Sequence, residues 1–155
     1  MDKRWTIEEA IREAVRIERK AVDLYGDVLD KLVKPSSKKL LRYIIEMKKN
    51  HVSFLEEALE SPEELAAYCN IPLSIPDYKI TDDLVGEDLS ESSDIQQVLI
   101  HASKQEQKAH DFYKQLSQEH EETEVGFMWS CFARESLIHK EILEKEYDKH
   151  ILQEF

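Results

Sequence analysis

The sequence has few of the residues that make tight turns or cross-links. Its 155 residues include three glycines and four prolines, which argues against the frequent turns of an all-β fold. Only two cysteines occur, Cys69 and Cys131, without a C-x-x-C pair. This excludes a disulfide framework and a four-cysteine iron or zinc module. We therefore expect a mostly helical chain whose cysteines are reduced.

Long apolar runs and an excess of basic residues are also missing. No run of 18 apolar residues occurs, and residues 1–6 lead into amphipathic sequence without the apolar region of a signal peptide. The formal net charge is −12, whereas nucleic acids and anionic membrane surfaces are bound by basic patches. We expect a cytoplasmic protein that binds neither nucleic acid nor membranes.

Apolar residues instead recur at the helical spacing of three and four in four segments. Capping boxes stand at Thr6–Glu9 and Asp94–Gln97. The pattern predicts one domain over residues 1–155 with helices at about 6–34, 37–60, 94–119 and 123–152. Residues 61–93 hold three of the four prolines and are predicted to form a long crossover. The Glu/Lys run at 140–149 is predicted to be an exposed helical face.

An internal repeat relates the two halves of the chain. Residues 18–25 match residues 106–113 at Glu, Lys, Ala, Asp and Tyr, and the offsets 106 − 18 and 139 − 51 are both 88. The repeat predicts an all-α, antiparallel four-helix bundle of two αα-hairpins, with approximate two-fold symmetry about the bundle axis. Such a bundle brings four polar residues together in an apolar interior: Glu18, His51, Glu106 and His139. Buried carboxylates there require a metal, a lysine or a protonated histidine nearby.

These features resemble the rubrerythrin branch of the ferritin-like superfamily. The resemblance rests on Glu-x-x-Ala-x-x-x-Tyr at 18–25 and 106–113, on one histidine in each of the second and fourth helices, and on the crossover. It covers nearly the whole chain. Di-iron bundles of this kind take one glutamate from each of two helices and Glu-x-x-His from each of the other two.

The resemblance implies a metal-binding protein, and as an enzyme an iron-dependent oxidoreductase that acts on peroxide or dioxygen. Its implied metal ligands are Glu18, His51, Glu106 and His139, with Tyr25 and Tyr113 adjacent to them. No rubredoxin-type four-cysteine module is encoded, so the resemblance further implies a separate electron donor.

The bridging glutamates of that family are replaced in this chain. Lys48 stands three residues before His51, and Ser136 stands three residues before His139. Two metal ions ~3.5–4 Å apart need bridging anions that offset their charge. Glu135 and His110 are substitute donors, because each lies one helical turn from a candidate ligand. The sequence therefore favours one ion, iron or zinc, over two.

Two other interpretations stay open. In one, Lys48 replaces the metal charge and pairs with Glu18 and Glu106, while Ser136 and the two histidines complete a hydrogen-bonded polar core. This gives a metal-free structural or binding protein. In the other, the protein binds metal without turnover. Tyr25 and Tyr113 are either redox-active or hydrogen-bond donors near a metal or, as is more common for tyrosines on an apolar stripe, core residues whose hydroxyl groups are satisfied. We also expect a homodimer.

Overall fold

The computed structural model describes residues 5–61, 79, 81–84, 86 and 88–153, and these residues form four helices and no strand. The helices are α1 (Ile7–Lys31), α2 (Pro35–Glu60), α3 (Ile95–Glu119) and α4 (Glu124–Gln153). The predicted all-α four-helix fold is confirmed. The predicted crossover at 61–93 lies largely outside the described residues.

Local sequence signals set the helix starts. The Thr6 hydroxyl accepts a hydrogen bond from the backbone N–H of Glu9, and Asp94 and Gln97 form a complete capping box. The start of α2 is different, because no side chain caps it and Pro35 is its first residue. Proline suits this position since its missing N–H would have no helical partner. The helix therefore begins two residues earlier than expected.

Two apolar clusters, one at each end of the bundle, define the helix directions. The first cluster contains residues from 10–15 of α1, 52–58 of α2, 125–133 of α4 and Tyr113 of α3. The second contains residues from 25–32, 41–45, 98–102 and 143–147. Helices α1 and α4 thus run in one direction and α2 and α3 in the other, so each hairpin is antiparallel.

These directions also correct the predicted symmetry axis. Because α1 and α3 run in opposite directions, the axis that relates the two hairpins is perpendicular to the helices and not along the bundle. The end of α2 and the start of α3 consequently lie at opposite ends of the bundle. The chain before α3 returns to the α1–α2 loop, where Val33 N–H donates to the Glu91 carbonyl and the Ser37 hydroxyl to the Ser93 carbonyl.

The α4 surface at 140–149 differs from its predicted exposure. Lys140 and Glu144 are buried, because Asp82 and Thr81 of the crossover form hydrogen bonds with them. The prediction of an exposed helical face is therefore wrong for these two residues.

Two findings concern the expected cellular setting. Cys131 is buried and disulfide-bonded, so the prediction of reduced cysteines is wrong for this residue; Cys69 lies outside the described residues. Disulfide formation depends on which sulfur atoms meet in space, which a missing C-x-x-C motif does not exclude. In the part of the chain that the structure describes, no helix has the length and apolar character needed to cross a membrane.

Candidate central ion-pair site

A layer of polar side chains lies between the two apolar clusters, and all four helices contribute to it. The helical repeat turns these positions inward at mid-height because each continues an apolar stripe. The layer consists of Glu18 from α1, Lys48 and His51 from α2, Glu106 from α3, and Ser136 and His139 from α4. The structure thus brings the four predicted polar residues and Lys48 into one cluster.

Lys48 is the centre of this cluster. Its ammonium group donates to Glu18 Oε2 at 3.0 Å and forms an ion pair with Glu106 Oε1. Only 5% of the Lys48 surface is exposed, so water does little to screen these contacts. One positive charge therefore joins carboxylates from both hairpins.

The three groups keep their charges because their mutual attraction exceeds the cost of burial. Burial acts to raise the pKa of Glu18, but Lys48 and then His51 outweigh it and lower that pKa to about 2. The pKa of Glu106 is also lowered, because Lys48 and His139 outweigh burial. Burial acts to lower the pKa of Lys48, yet Glu106 and Glu18 hold it above its usual 10.5. The site is an ionised triad at neutral pH.

The two histidines flank this triad symmetrically. His51 Nδ1 lies 3.8 Å from Glu18 Oε1, and His139 Nδ1 lies 3.6 Å from Glu106 Oε2. Both distances exceed that of a hydrogen bond. The two imidazole rings are nearly perpendicular, with centroids 5.2 Å apart. Each glutamate therefore has Lys48 on one side and a histidine on the other.

The hydrogen bonding around the histidines is incomplete. Both ring nitrogens of His51, Nδ1 of His139 and Oε2 of Glu106 are buried without a hydrogen-bond partner among the described residues. Ser136 does not fill the gap, because its hydroxyl donates to the Phe132 carbonyl one turn earlier in α4. The fully hydrogen-bonded polar core expected for the metal-free interpretation is thus only partly formed.

The substitute donors lie outside this triad. His110 Nδ1 lies 2.9 Å from the Ala133 carbonyl oxygen, so this histidine joins α3 to the backbone of α4. Glu135 is buried on α4, but the ion pairs of Lys48 go to Glu18 and Glu106. A metal-binding role for His110 or Glu135 stays a prediction.

Both predicted tyrosines are buried, and burial raises the pKa of each hydroxyl. Tyr113 stacks on Trp129 with ring centroids 5.9 Å apart. Its hydroxyl finds no hydrogen-bond partner within the described part of the chain. Tyr113 is therefore a core residue whose hydroxyl, contrary to expectation, is not satisfied by those residues.

The residues present do not fit a two-metal centre. The two positions that would supply bridging carboxylates hold Lys48 and Ser136, and the Lys48 ammonium lies between the glutamates that would face the metals. A cation at that point repels a metal cation and uses the same oxygen atoms. In the described part of the chain, no group of three or more His, Cys, Asp or Glu side chains is arranged to hold a metal ion.

A second buried charged cluster, which was not predicted, lies under the crossover. Lys140 Nζ donates to Asp82 Oδ1 and to Gln107 Oε1, both at 2.6 Å. Glu144 Oε2 accepts from the N–H and the hydroxyl of Thr81, at 2.8 and 3.1 Å. One sequence signal could have revealed it, because positions 140, 143, 144 and 147 share one helix face and two of them are Leu143 and Tyr147.

In comparisons with known proteins the chain matches no family model, no curated protein and no solved structure. The resemblance to rubrerythrins, the implied iron chemistry, the electron donor and the homodimer therefore stay predictions.

Proposed function

We propose that this protein is a ferritin-like bundle with a metal-independent structural or ligand-binding role, in which Lys48 supplies the positive charge that a metal would otherwise supply. One observation carries this proposal: a single buried ammonium contacts a carboxylate from each hairpin, Glu18 and Glu106. The ammonium offsets part of the carboxylate charge and takes the space between the two groups.

The energetics of buried ion pairs support a structural role for the triad. Taking charges out of water costs several kcal/mol per ion, so a buried pair seldom stabilises more than apolar packing would. Removing only one partner, in contrast, leaves an uncompensated charge. Lys48 therefore makes the docking of α3 onto the first hairpin depend on one specific pairing, because Glu106 is paired with the ammonium only when the hairpins are in register.

Metal analysis tests the proposal directly. Protein purified without chelator is expected to contain no stoichiometric iron or zinc, and aerobic loading with ferrous ion should leave its ultraviolet–visible spectrum unchanged. Iron or zinc that is held in stoichiometric amount through dialysis would overturn the metal-independent role.

A designed pair of substitutions tests the family resemblance separately. Lys48→Glu with Ser136→Glu restores both bridging carboxylates and is expected to bind two metal ions per chain, measured by elemental analysis after ferrous loading. Lys49→Glu with Ser130→Glu is the matched control, since both residues are exposed on the same two helices. It should bind none. If the first variant binds no metal, the proposed relation to di-iron proteins is wrong.

A second function, binding of one Zn²⁺ or Fe²⁺, is favoured by a different observation. His51, His139 and Glu106 each keep a buried polar atom without a hydrogen-bond partner in the described segments, and imidazole and carboxylate suit both ions. This function requires the Lys48 side chain to leave the triad. Calorimetric titration with Zn²⁺ distinguishes it: binding that is lost in His51→Gln with His139→Gln would support the single site, and no binding by the wild type would refute it.

A further inference from the structure

Helices α1 and α3 leave a groove of about 410 Å³ on the surface above the ion-pair triad. Along α1 its lining runs from Arg16 to Tyr25, a length of ~13.5 Å for nine helical rises of 1.5 Å each. Its lining is mainly apolar, with side chains from Ile17, Ala21, Leu24, Ala109 and Phe112, and it also includes Tyr25 and Gln105. The volume lies in the range of small-molecule sites, roughly 300–1,000 Å³.

The internal repeat builds both walls of this groove. Lys108 and Lys20, Ala109 and Ala21, and Phe112 and Leu24 are each separated by 88 positions. Leu24 is 53% exposed and Phe112 is 43% exposed, so each half contributes one large apolar side chain that stays in water. An apolar surface of this kind, bordered by polar residues, is typical of an interaction site.

The charges at the groove are opposite in sign to the net charge of the chain. Lys20 and Lys108 are exposed at the rim, one on each wall, and neither forms an ion pair with another described residue. Arg16, at one end, is already paired with Glu13. The floor is formed in part by Glu18 and Lys48, which form an ion pair, and Lys48 is shared with Glu106. Two lysines without an ion-pair partner among the described residues therefore border an apolar surface in a protein of net charge −12.

We propose that this groove binds a small amphipathic monocarboxylate of medium chain length. Its apolar body lies against Ile17, Ala21 and Ala109, and its carboxylate is held by Lys20 and Lys108. The sign of the rim charge selects a carboxylate over an amine, and the apolar walls select a hydrocarbon body over a sugar or a nucleotide. The inference rests on the proposed metal-independent role and names the ligand class for it.

Calorimetric titration with three probes of equal chain length tests the ligand class. Decanoate is expected to bind more tightly than decanol, and decylamine is expected not to bind. Added salt should weaken the binding of decanoate and leave that of decanol unchanged, because salt screens exposed charges. Equal affinity for all three probes would overturn the carboxylate assignment.

Substitutions in the rim and the wall test the location. Lys20→Gln with Lys108→Gln is expected to weaken decanoate binding about tenfold, as two exposed ion pairs can, without changing decanol binding. Lys39→Gln with Lys149→Gln removes the same charge from exposed residues elsewhere and should have no effect. Phe112→Ser should weaken the binding of both decanoate and decanol. All changed side chains are exposed, so circular dichroism should report an intact fold.

Metal content measured on the same samples separates this inference from the proposed function. Decanoate binding by metal-free protein supports both. If the metal-free protein does not bind decanoate, the ligand assignment alone is wrong. The same holds if Leu24 and Phe112 are buried in a dimer at the concentration used for the titration. Binding that appears only after metal loading overturns the metal-independent role.

Discussion

The two buried lysines of the described chain, Lys48 and Lys140, hold different parts of the molecule together. Lys48 lies among the four helices, and both of its partners are buried glutamates, Glu18 and Glu106. Lys140 lies beneath the crossover, and its carboxylate partner among the described residues, Asp82, keeps 35% of its side chain exposed. The two buried lysines therefore have different structural roles: Lys48 joins the two hairpins, whereas Lys140 attaches a connecting segment to α4.

The repeat sharpens this contrast because neither lysine has an equivalent in the other hairpin. The position 88 residues after Lys48 is Ser136, and the position 88 residues before Lys140 is Val52. Glutamates 56 and 144 are also related by 88 residues, yet Glu56 pairs with Arg19 at the surface while Glu144 is fully buried against Thr81. The repeat conserves helix register, and the crossover gives the two halves different environments.

The largest effect is expected for removal of the central charge. Lys48→Met leaves two buried carboxylates without a counter-charge and should lower the free energy of unfolding by about 3–5 kcal/mol, measured by urea denaturation. Lys49→Met changes an exposed residue of the same helix and should cost no more than about 0.5 kcal/mol. Adding Glu18→Gln and Glu106→Gln to Lys48→Met should restore part of the stability. An unchanged melting temperature for Lys48→Met would contradict the role of the triad.

Acid should reveal the same triad through the pH dependence of unfolding. The pKa of Glu18 falls from its ordinary 4.5 to about 2 in the folded protein, so its contribution is present above pH 4.5 and is lost between pH 4.5 and 2. The pKa of Lys48 is raised above 10.5, so its contribution persists below that pH and is lost at higher pH. As the pH falls below 4.5, the wild type should lose more stability than the triple variant that combines Lys48→Met with Glu18→Gln and Glu106→Gln. Parallel curves would argue against an ionised triad.

Loss of Lys140 is expected to cost less than loss of Lys48. Lys140→Met removes the hydrogen bonds to Asp82 and Gln107, with an expected cost of about 1–3 kcal/mol, because the exposed part of Asp82 can be hydrated. Hydrogen exchange should accelerate at residues 81–84 and stay unchanged in the centre of α1. If Lys140→Met destabilised the protein more than Lys48→Met, the distinction between the two lysines would fail.

The smallest effect is expected for Glu56, the more exposed of the two glutamates that the repeat relates. Glu56→Gln weakens an exposed pair with Arg19 and should cost about 0–1 kcal/mol. The same change at the buried equivalent, Glu144→Gln, weakens two hydrogen bonds from Thr81 to a charged group and should cost about 1.5–3 kcal/mol. Equal costs, measured by thermal denaturation of both variants, would show that the crossover does not set the environment of Glu144.

Much of the fold could be predicted from local signals. The Thr6 and Asp94 caps and the apolar stripes depend only on residues close in sequence, so they indicate where helices begin and which face is buried. The 88-residue register then placed Glu18, His51, Glu106 and His139 at one height. The start of α2 at Pro35 and the perpendicular symmetry axis were not predicted, because they depend on how the helices pack.

The sequence by itself determined the four helices, their shared register and the residues of the central layer, since helical periodicity dictates which side chains face inward. Only the tertiary structure decided which partners these side chains meet. It placed Lys48 between two carboxylates and left the two histidines beyond hydrogen-bond distance of those carboxylates. It also buried Lys140 and Glu144 under a segment far from them in sequence. Burial and pairing of charges depend on non-local packing, which a pattern of neighbouring residues does not contain.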